Sequence, residues 1–292
     1  MEGPKAAALV VIQSHEIARP PILVLELLEE IGVAQGWFPN LTPAEIAERC
    51  ASWRARFVAF LTKDLDDRAS DNRPARYEFN ASDPSYIQGS CFPAPGDSPE
   101  LKQAKALRSQ HEQYASAIRA ISWREFEGVC RGVLSVLGCD SPKLTKERND
   151  QGVDFFGSLS LEGKLGRSIG LPGVDRNFRT WLVGQAKQYE GTVSTTELRE
   201  LAGAVTLARA GVGSDDGSAL LGLDIRVFDP VFFIFITAGS LTADTRLLAK
   251  RSGIIALDGE SLGALLADAE VGMVGQIFDS GAFDAWVKQQ LS

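Results

Sequence analysis

The chain has 292 residues, 45% hydrophobic and 8% aromatic, with a net charge of −8. That is apolar material enough for two cores, and too little positive charge for a protein that coats DNA by neutralising phosphates. Cys50, Cys91, Cys130 and Cys139 form no CxxC pair and stand far from His15 and His111 in the chain, which argues against a zinc cluster and a disulfide framework and fits a reducing compartment.

Lys and Arg number 13 against 16 Asp and Glu over the first 120 residues and 17 against 22 over the rest, so neither half is a basic domain. The apolar run at residues 6–12 follows Glu2 and is followed by no small-residue cleavage site, so it does not read as a secretory signal. No apolar run approaches the roughly 20 residues of a bilayer span. A soluble, cytoplasmic protein without a membrane partner is expected.

Pro20 and Pro21 open an amphipathic helix over residues 22–31, with Leu23, Leu27, Leu28 and Ile31 on one face. Thr42 caps a second helix, with Pro43 in its first turn and Glu45 at the capping-box position. Ser52 is the cap expected for a third, over 53–65, with Phe57, Val58 and Leu61 inward. Residues 76–80 then alternate like an exposed strand. Three helices and a terminal strand pair give a winged-helix-like, mainly helical domain over 1–92.

On that reading Arg54, Arg56, Lys63, Arg68, Arg73 and Arg76 face DNA. The interleaved Asp64, Asp66, Asp67 and Asp71 keep open a plain helical docking domain with solvated arginines. Trp37, Phe38, Trp53, Tyr77 and Phe79 are the aromatic walls that a pocket for a flipped, modified base requires; core packing is the simpler account of the same residues.

Residues 82–99, rich in Ser, Pro, Gly and Asp, read as a linker, and a polar helix is expected over 99–121, so 93–121 form the linker and connector. The second domain, 122–292, opens with Ser122 capping a helix over 123–137, ended by Gly138. Strands are expected at 154–159, 181–186, 231–237 and 253–257, and helices at 195–210, 241–252 and 259–268. Apolar strands alternating with helices make an α/β domain: a mixed sheet flanked by helices.

Four polar residues stand in that frame: Glu127 on the first helix, Asp154 opening one strand, and Gln185 and Lys187 on the next. Residues i and i+2 of a strand share a face, so Gln185 and Lys187 project together. Hydrolysis of a phosphodiester needs an attacking water, neutralisation of charge growing on phosphate, and a proton for the leaving oxygen. Asp154, Gln185 and the Ala186 carbonyl supply oxygens that suit Mg²⁺, with Glu127 reaching the metal through water or serving a second ion. Lys187 is placed to orient or deprotonate the water, or to stabilise the transition state. Read singly, each is also an ordinary turn or surface residue.

The stretch from Trp123 to about Leu266 resembles the catalytic domain of the Mrr-like restriction endonucleases. These are a branch of the PD-(D/E)XK nucleases in which glutamine often replaces the second acidic residue. The resemblance is carried by Glu125-Phe126-Glu127, Asp150-Gln151-Gly152-Val153-Asp154, Gln185-Ala186-Lys187-Gln188-Tyr189, Phe235-Ile236-Thr237-Ala238-Gly239 and the run from Gly253 to Glu260. It implies a restriction-endonuclease-like fold and cleavage of double-stranded foreign, sometimes modified, DNA, dependent on Mg²⁺ or Mn²⁺. It also implies catalytic positions at Glu127, Asp154, Gln185 and Lys187. Cutting both strands calls for two sites and hence a homodimer. A repair or junction-resolving nuclease on the same scaffold and an inactive DNA-binding regulator are the alternatives. Two insertions depart from the pattern, one between Asp154 and Gln185 and one over 211–230; Lys164, Arg167, Arg176 and Arg179 of the first are candidate phosphate clamps, or a solvated loop.

Overall fold

The computed structural model describes residues 2–145, 152–160, 179–189, 191–209, 223–226 and 228–291. The chain divides into two compact units, Met1–Gln110 and His111–Ser292.

The first unit runs α1 (Pro4–Ser14), β1 (Ile22–Leu23), α2 (Val24–Ala34), α3 (Pro43–Ser70), β2 (Tyr77–Phe79), β3 (Tyr86–Gly89) and α4 (Pro99–Arg108). The apolar run near the start is α1, with Ala7, Ala8 and Val11 buried. The helix expected from residue 22 begins at Val24, because Ile22 and Leu23 are drawn into an antiparallel sheet of order β1-β3-β2. Thr42 and Glu45 close a complete capping box at the start of α3. From there the chain forms one 28-residue helix in place of the two expected. Ser52 caps nothing: its Oγ donates to the Arg49 carbonyl at 2.6 Å, a bond available to serine inside a helix, and no Gly or Pro interrupts the run.

Leu27, Leu28, Phe57, Leu61, Tyr77 and Ile87 form the core of this unit. Trp37, Phe38, Trp53 and Phe79 pack with it, and Tyr77 is fully buried with its Oη 3.0 Å from the Leu61 carbonyl, so core packing accounts for the aromatic set. The single polar helix expected over 99–121 is two helices, and the division between the units falls between them.

The second unit comprises α5 (His111–Ala120), α6 (Trp123–Val136), β4 (Lys143–Leu144), β5 (Phe155–Ser160), β6 (Arg179–Lys187), β7 (Thr192–Val193), α7 (Thr195–Arg209), β8 (Val231–Thr237), β9 (Ser240–Leu241), α8 (Ala243–Ser252), β10 (Ile255–Leu257), α9 (Gly259–Asp268), β11 (Met273–Val274), β12 (Ile277–Phe278) and α10 (Ser280–Gln290). Its main sheet has the order β10-β8-β6-β5-β4. β4, β5 and β6 are antiparallel neighbours, whereas β6, β8 and β10 run parallel.

Both faces are covered, as the near-continuous apolar strands require. Phe155, Leu182, Ile234 and Ile236 meet α5, α6, α9 and α10 through Tyr114, Ile118, Phe126, Val129, Val133, Leu262, Leu266 and Phe283. The alternate residues Phe156, Trp181, Val183 and Phe235 meet Leu198 and Leu201 of α7 and Ala249 of α8. Burying one such aromatic or aliphatic side chain stabilises by about 1.5–3 kcal/mol, so these two layers hold the sheet rigid. Among the described residues no helix is long and apolar enough to cross a membrane.

Candidate active site

The second unit places Asp154 beside the Gln185–Lys187 segment by backbone bonding. Gly152 has φ 78°, a left-handed turn that brings the chain into β5. The Asp154 N–H then donates to the Gly184 carbonyl at 2.9 Å, and the Thr145 N–H donates to the Asp154 carbonyl at 3.0 Å. The residue is thus held from both sides at the end of the sheet. The β5–β6 ladder stops at Phe155 opposite Gly184, and the next β6 amide facing that side, Ala186, donates to the Asp154 carboxylate at 2.7 Å.

Gly184 permits this closeness. A Cβ there would lie 2.1 Å from Phe155 Cζ and 2.9 Å from the Ile234 carbonyl oxygen.

Gln185 follows, 3% exposed, and its Oε1 is buried with no hydrogen-bond partner. A buried amide oxygen without a donor is costly, which makes it notable beside a carboxylate. Lys187, two residues on, is half-buried, and its carbonyl accepts from Thr237 Oγ1 at 2.8 Å and from the Ala238 N–H at 3.2 Å. Gln188 donates to the carbonyls of Ile118, at 3.5 Å, and Ile121, which ties the end of β6 to the chain entering α6.

Glu127 comes from α6, where the Ser122–Glu125 capping box fixes the first turn. Arg124 pairs with its carboxylate at 2.7 Å. Cys130, on the same helix, is wholly buried; burial, and then the Asp154 and Glu127 carboxylates, push its thiol well above the ordinary range. Both acids therefore act on one buried thiol, and that thiol is no nucleophile.

The structure thus joins the Asp154 carboxylate to Ala186, between Gln185 and Lys187 on β6, while Glu127 stands on α6 paired with Arg124. Among the described residues no three His, Cys, Asp or Glu side chains gather as a metal site, so a cation here would rely on one carboxylate plus amide and backbone oxygens. The buried Gln185 oxygen, one residue before the Ala186 amide that Asp154 holds, fits such a group.

Of the candidate DNA contacts, Arg54, Arg56 and Lys63 are exposed; Arg54 donates to Ser85 Oγ at 3.3 Å and Lys63 pairs with Asp67 at 2.7 Å. Arg68 is buried against Asp64 at 3.0 Å, Arg73 lies 3.8 Å from Asp71, and Arg76 donates to the His15 carbonyl at 3.0 Å. Arg179 is exposed at the start of β6, its guanidinium 5.7 Å from the centre of the Trp181 ring. Lys164, Arg167 and Arg176 lie outside the described residues, as do residues 211–222 of the second insertion. The sequence reading gave no role to Arg124, and it quoted Thr237 only within the segment Phe235-Ile236-Thr237-Ala238-Gly239. Arg124 was signalled by its i,i+3 spacing to Glu127; the bond from Thr237 goes to a backbone carbonyl, whose partner no sequence pattern names.

Residues 118–213 match the family model Mrr_cat, described as restriction endonuclease. The matched span includes Glu127, Asp154, Gln185 and Lys187. No curated protein matches. Two solved structures are similar. One is the MspJI restriction endonuclease in complex with a 27-mer oligonucleotide, 18% identical with a TM-score of 0.38, over 69% of this chain and 37% of that one. The other is the DNA modification-dependent restriction endonuclease AspBHI, 16% identical with a TM-score of 0.36, over 68% of this chain and 41% of that one. The chain spans about two fifths of the length of the structures it matches.

Proposed function

With residues 118–213 matching the restriction endonuclease family, we propose that this chain is a divalent-metal-dependent endonuclease that hydrolyses phosphodiester bonds of double-stranded DNA. The observation that carries the reading is the Asp154 carboxylate fastened to Ala186 beside the unpartnered Gln185 oxygen, with Lys187 next on the strand.

Asp154, Gln185 Oε1 and the Ala186 carbonyl would hold Mg²⁺ or Mn²⁺, and Glu127 would contribute through water or hold a second ion. When bound, such an ion neutralises charge on the phosphate and makes its water more acidic. Lys187 Nζ orients the attacking water against the phosphate and meets the negative charge that develops there. Thr237 and Gly184 keep the strand that bears these groups in place.

The first unit supports a DNA-reading role. Its order, helix, strand, two helices and a hairpin, with the sheet β1-β3-β2, supports the winged-helix-like reading of this unit. Of the candidate contacts, Arg54, Arg56 and Lys63 are exposed on α3, while Arg68, Arg73 and Arg76 are engaged within the unit. A homodimer would provide one site per DNA strand.

The test is incubation of purified protein and Mg²⁺ with methylated duplex, unmethylated duplex and branched DNA, followed by mapping of the ends. Cleavage of linear duplex that disappears in Lys187→Ala and Asp154→Asn is the expected result. Cutting confined to branched DNA would favour a junction-resolving enzyme, and unchanged cutting by either variant would remove the site.

A further inference from the structure

The end of β6 is held by an uncommon concentration of donors. The Lys187 carbonyl accepts from Thr237 Oγ1 at 2.8 Å, from the Tyr189 N–H at 3.0 Å and from the Ala238 N–H at 3.2 Å. A carbonyl oxygen has two lone pairs, so three donors leave the Lys187–Gln188 peptide little freedom to turn. Thr237, fully buried, is itself aimed by a bond. Its oxygen accepts the Gly239 N–H at 3.2 Å, which leaves the hydroxyl proton for Lys187.

The Gly239 carbonyl in turn accepts the Gly259 N–H at 3.0 Å, joining the turn after β8 to the turn after β10. Both glycines are needed for this approach: a Cβ at Gly239 would lie 2.1 Å from the Gly191 carbonyl oxygen, and one at Gly259 2.4 Å from that of Ala238. Asp258 fixes the second turn. It is 4% exposed, caps α9 by accepting the Ser261 N–H at 2.9 Å, and receives the Arg246 guanidinium of α8 on its other oxygen. Burial opposes its charge, but Arg246 and the Ser261 N–H outweigh burial and keep the carboxyl below its ordinary range. Such a pair is a weak source of net stability, whereas loss of either charge strands the other.

We propose that Asp258 and Arg246 are positioning residues for Lys187, acting through Gly259, Gly239 and the Thr237 hydroxyl. The inference rests on the nuclease reading of the site that contains Lys187. An amine that must meet water and phosphate within hydrogen-bond reach loses rate steeply when its strand end shifts. Neither Asp258 nor Arg246 touches the substrate; together they set the backbone from which the amine departs.

The experiment follows cleavage of a linear duplex with Mg²⁺, under conditions where each variant is folded, alongside amide exchange of the DNA-free protein. Asp258→Asn keeps the α9 cap and removes the charge, and Arg246→Gln keeps Asp258 and removes its partner. Each is expected to lower kcat about tenfold with KM for duplex unchanged, and to speed exchange at Gly259 and Gly239. Thr237→Val is expected to lower kcat in the same way and to speed exchange at Gly239, and Thr237→Ser to restore the rate. Asp258→Asn added to Thr237→Val should cost no further rate, because its route to Lys187 is already cut. Multiplying losses in the double variant, or wild-type kcat in Asp258→Asn and Arg246→Gln, would overturn the inference and leave the nuclease reading standing. Wild-type protein that cuts no duplex would overturn that reading, and the inference with it.

Discussion

The Asp154 carboxylate accepts the Ala186 N–H at 2.7 Å, in the place where a neighbouring strand's carbonyl would otherwise sit. One side chain thus completes the sheet and presents negative charge beside Gln185. Asparagine retains an acceptor oxygen and loses the charge, so Asp154→Asn is expected to lower cleavage about a thousandfold with little loss of stability. Asp154→Ala strands the amide as well and is expected to cost about 1–2 kcal/mol in urea unfolding. Equal stability of the two variants would show that the bond is not needed.

Lys187 and Gln185 separate chemistry from folding differently. Lys187 is half-buried, so Lys187→Ala should reduce cleavage by about 10²–10⁴ while changing stability by less than about 1 kcal/mol. Gln185→Glu buries a second carboxylate near Asp154. The cation-free protein should melt earlier than wild type and gain more from added Mg²⁺. Thermal midpoints with and without Mg²⁺ decide it; identical gains would remove Gln185 from the ligand set.

Gly184→Ala tests the closeness of β5 and β6. The added methyl would meet the Phe155 ring at 2.1 Å and force the strands apart, at a cost of about 1–3 kcal/mol. Cleavage should fall further than the stability loss explains, because Gln185 moves with the strand. Wild-type stability and activity would contradict the packing.

Much of this site was legible because it uses patterns that sequence displays. Gln185 and Lys187 are two apart on an apolar strand, and Ser122 with Glu125 announces the helix that presents Glu127. Ser52 misled because a serine before an apolar run looks the same whether it caps a helix or bonds back to Arg49 inside one. The bond from Ala186 to Asp154 was invisible, since a backbone amide has no identity in sequence. The break between α4 and α5 was hidden for a related reason: residues 99–121 hold no proline after Pro99 and no glycine to mark it.

His15 gives the first unit a pH dependence. Burial, then the nearby Arg19 and Arg76, lower its pKa from 6.5 to about 4. The unfolded chain therefore takes up the proton first, so stability is full at neutral pH and declines as pH falls from about 6.5 toward about 4. Allowing for partial solvent screening, the loss should reach about 2 kcal/mol. Amide exchange within residues 2–110 at pH 7 and pH 5, corrected for intrinsic rates, measures it, and His15→Gln should flatten the difference. Equal protection at both pH values would show that His15 titrates normally.

β6 bonds to β5 on one side and β8 on the other, with helices over both of its faces. Gln185 and Lys187 therefore sit on a segment that opens only when the second unit unfolds as a whole. Heating should extinguish cleavage at the melting temperature and no earlier. On the proposed nuclease reading, any latitude in choosing among DNA sequences must reside in parts that yield more easily than this strand.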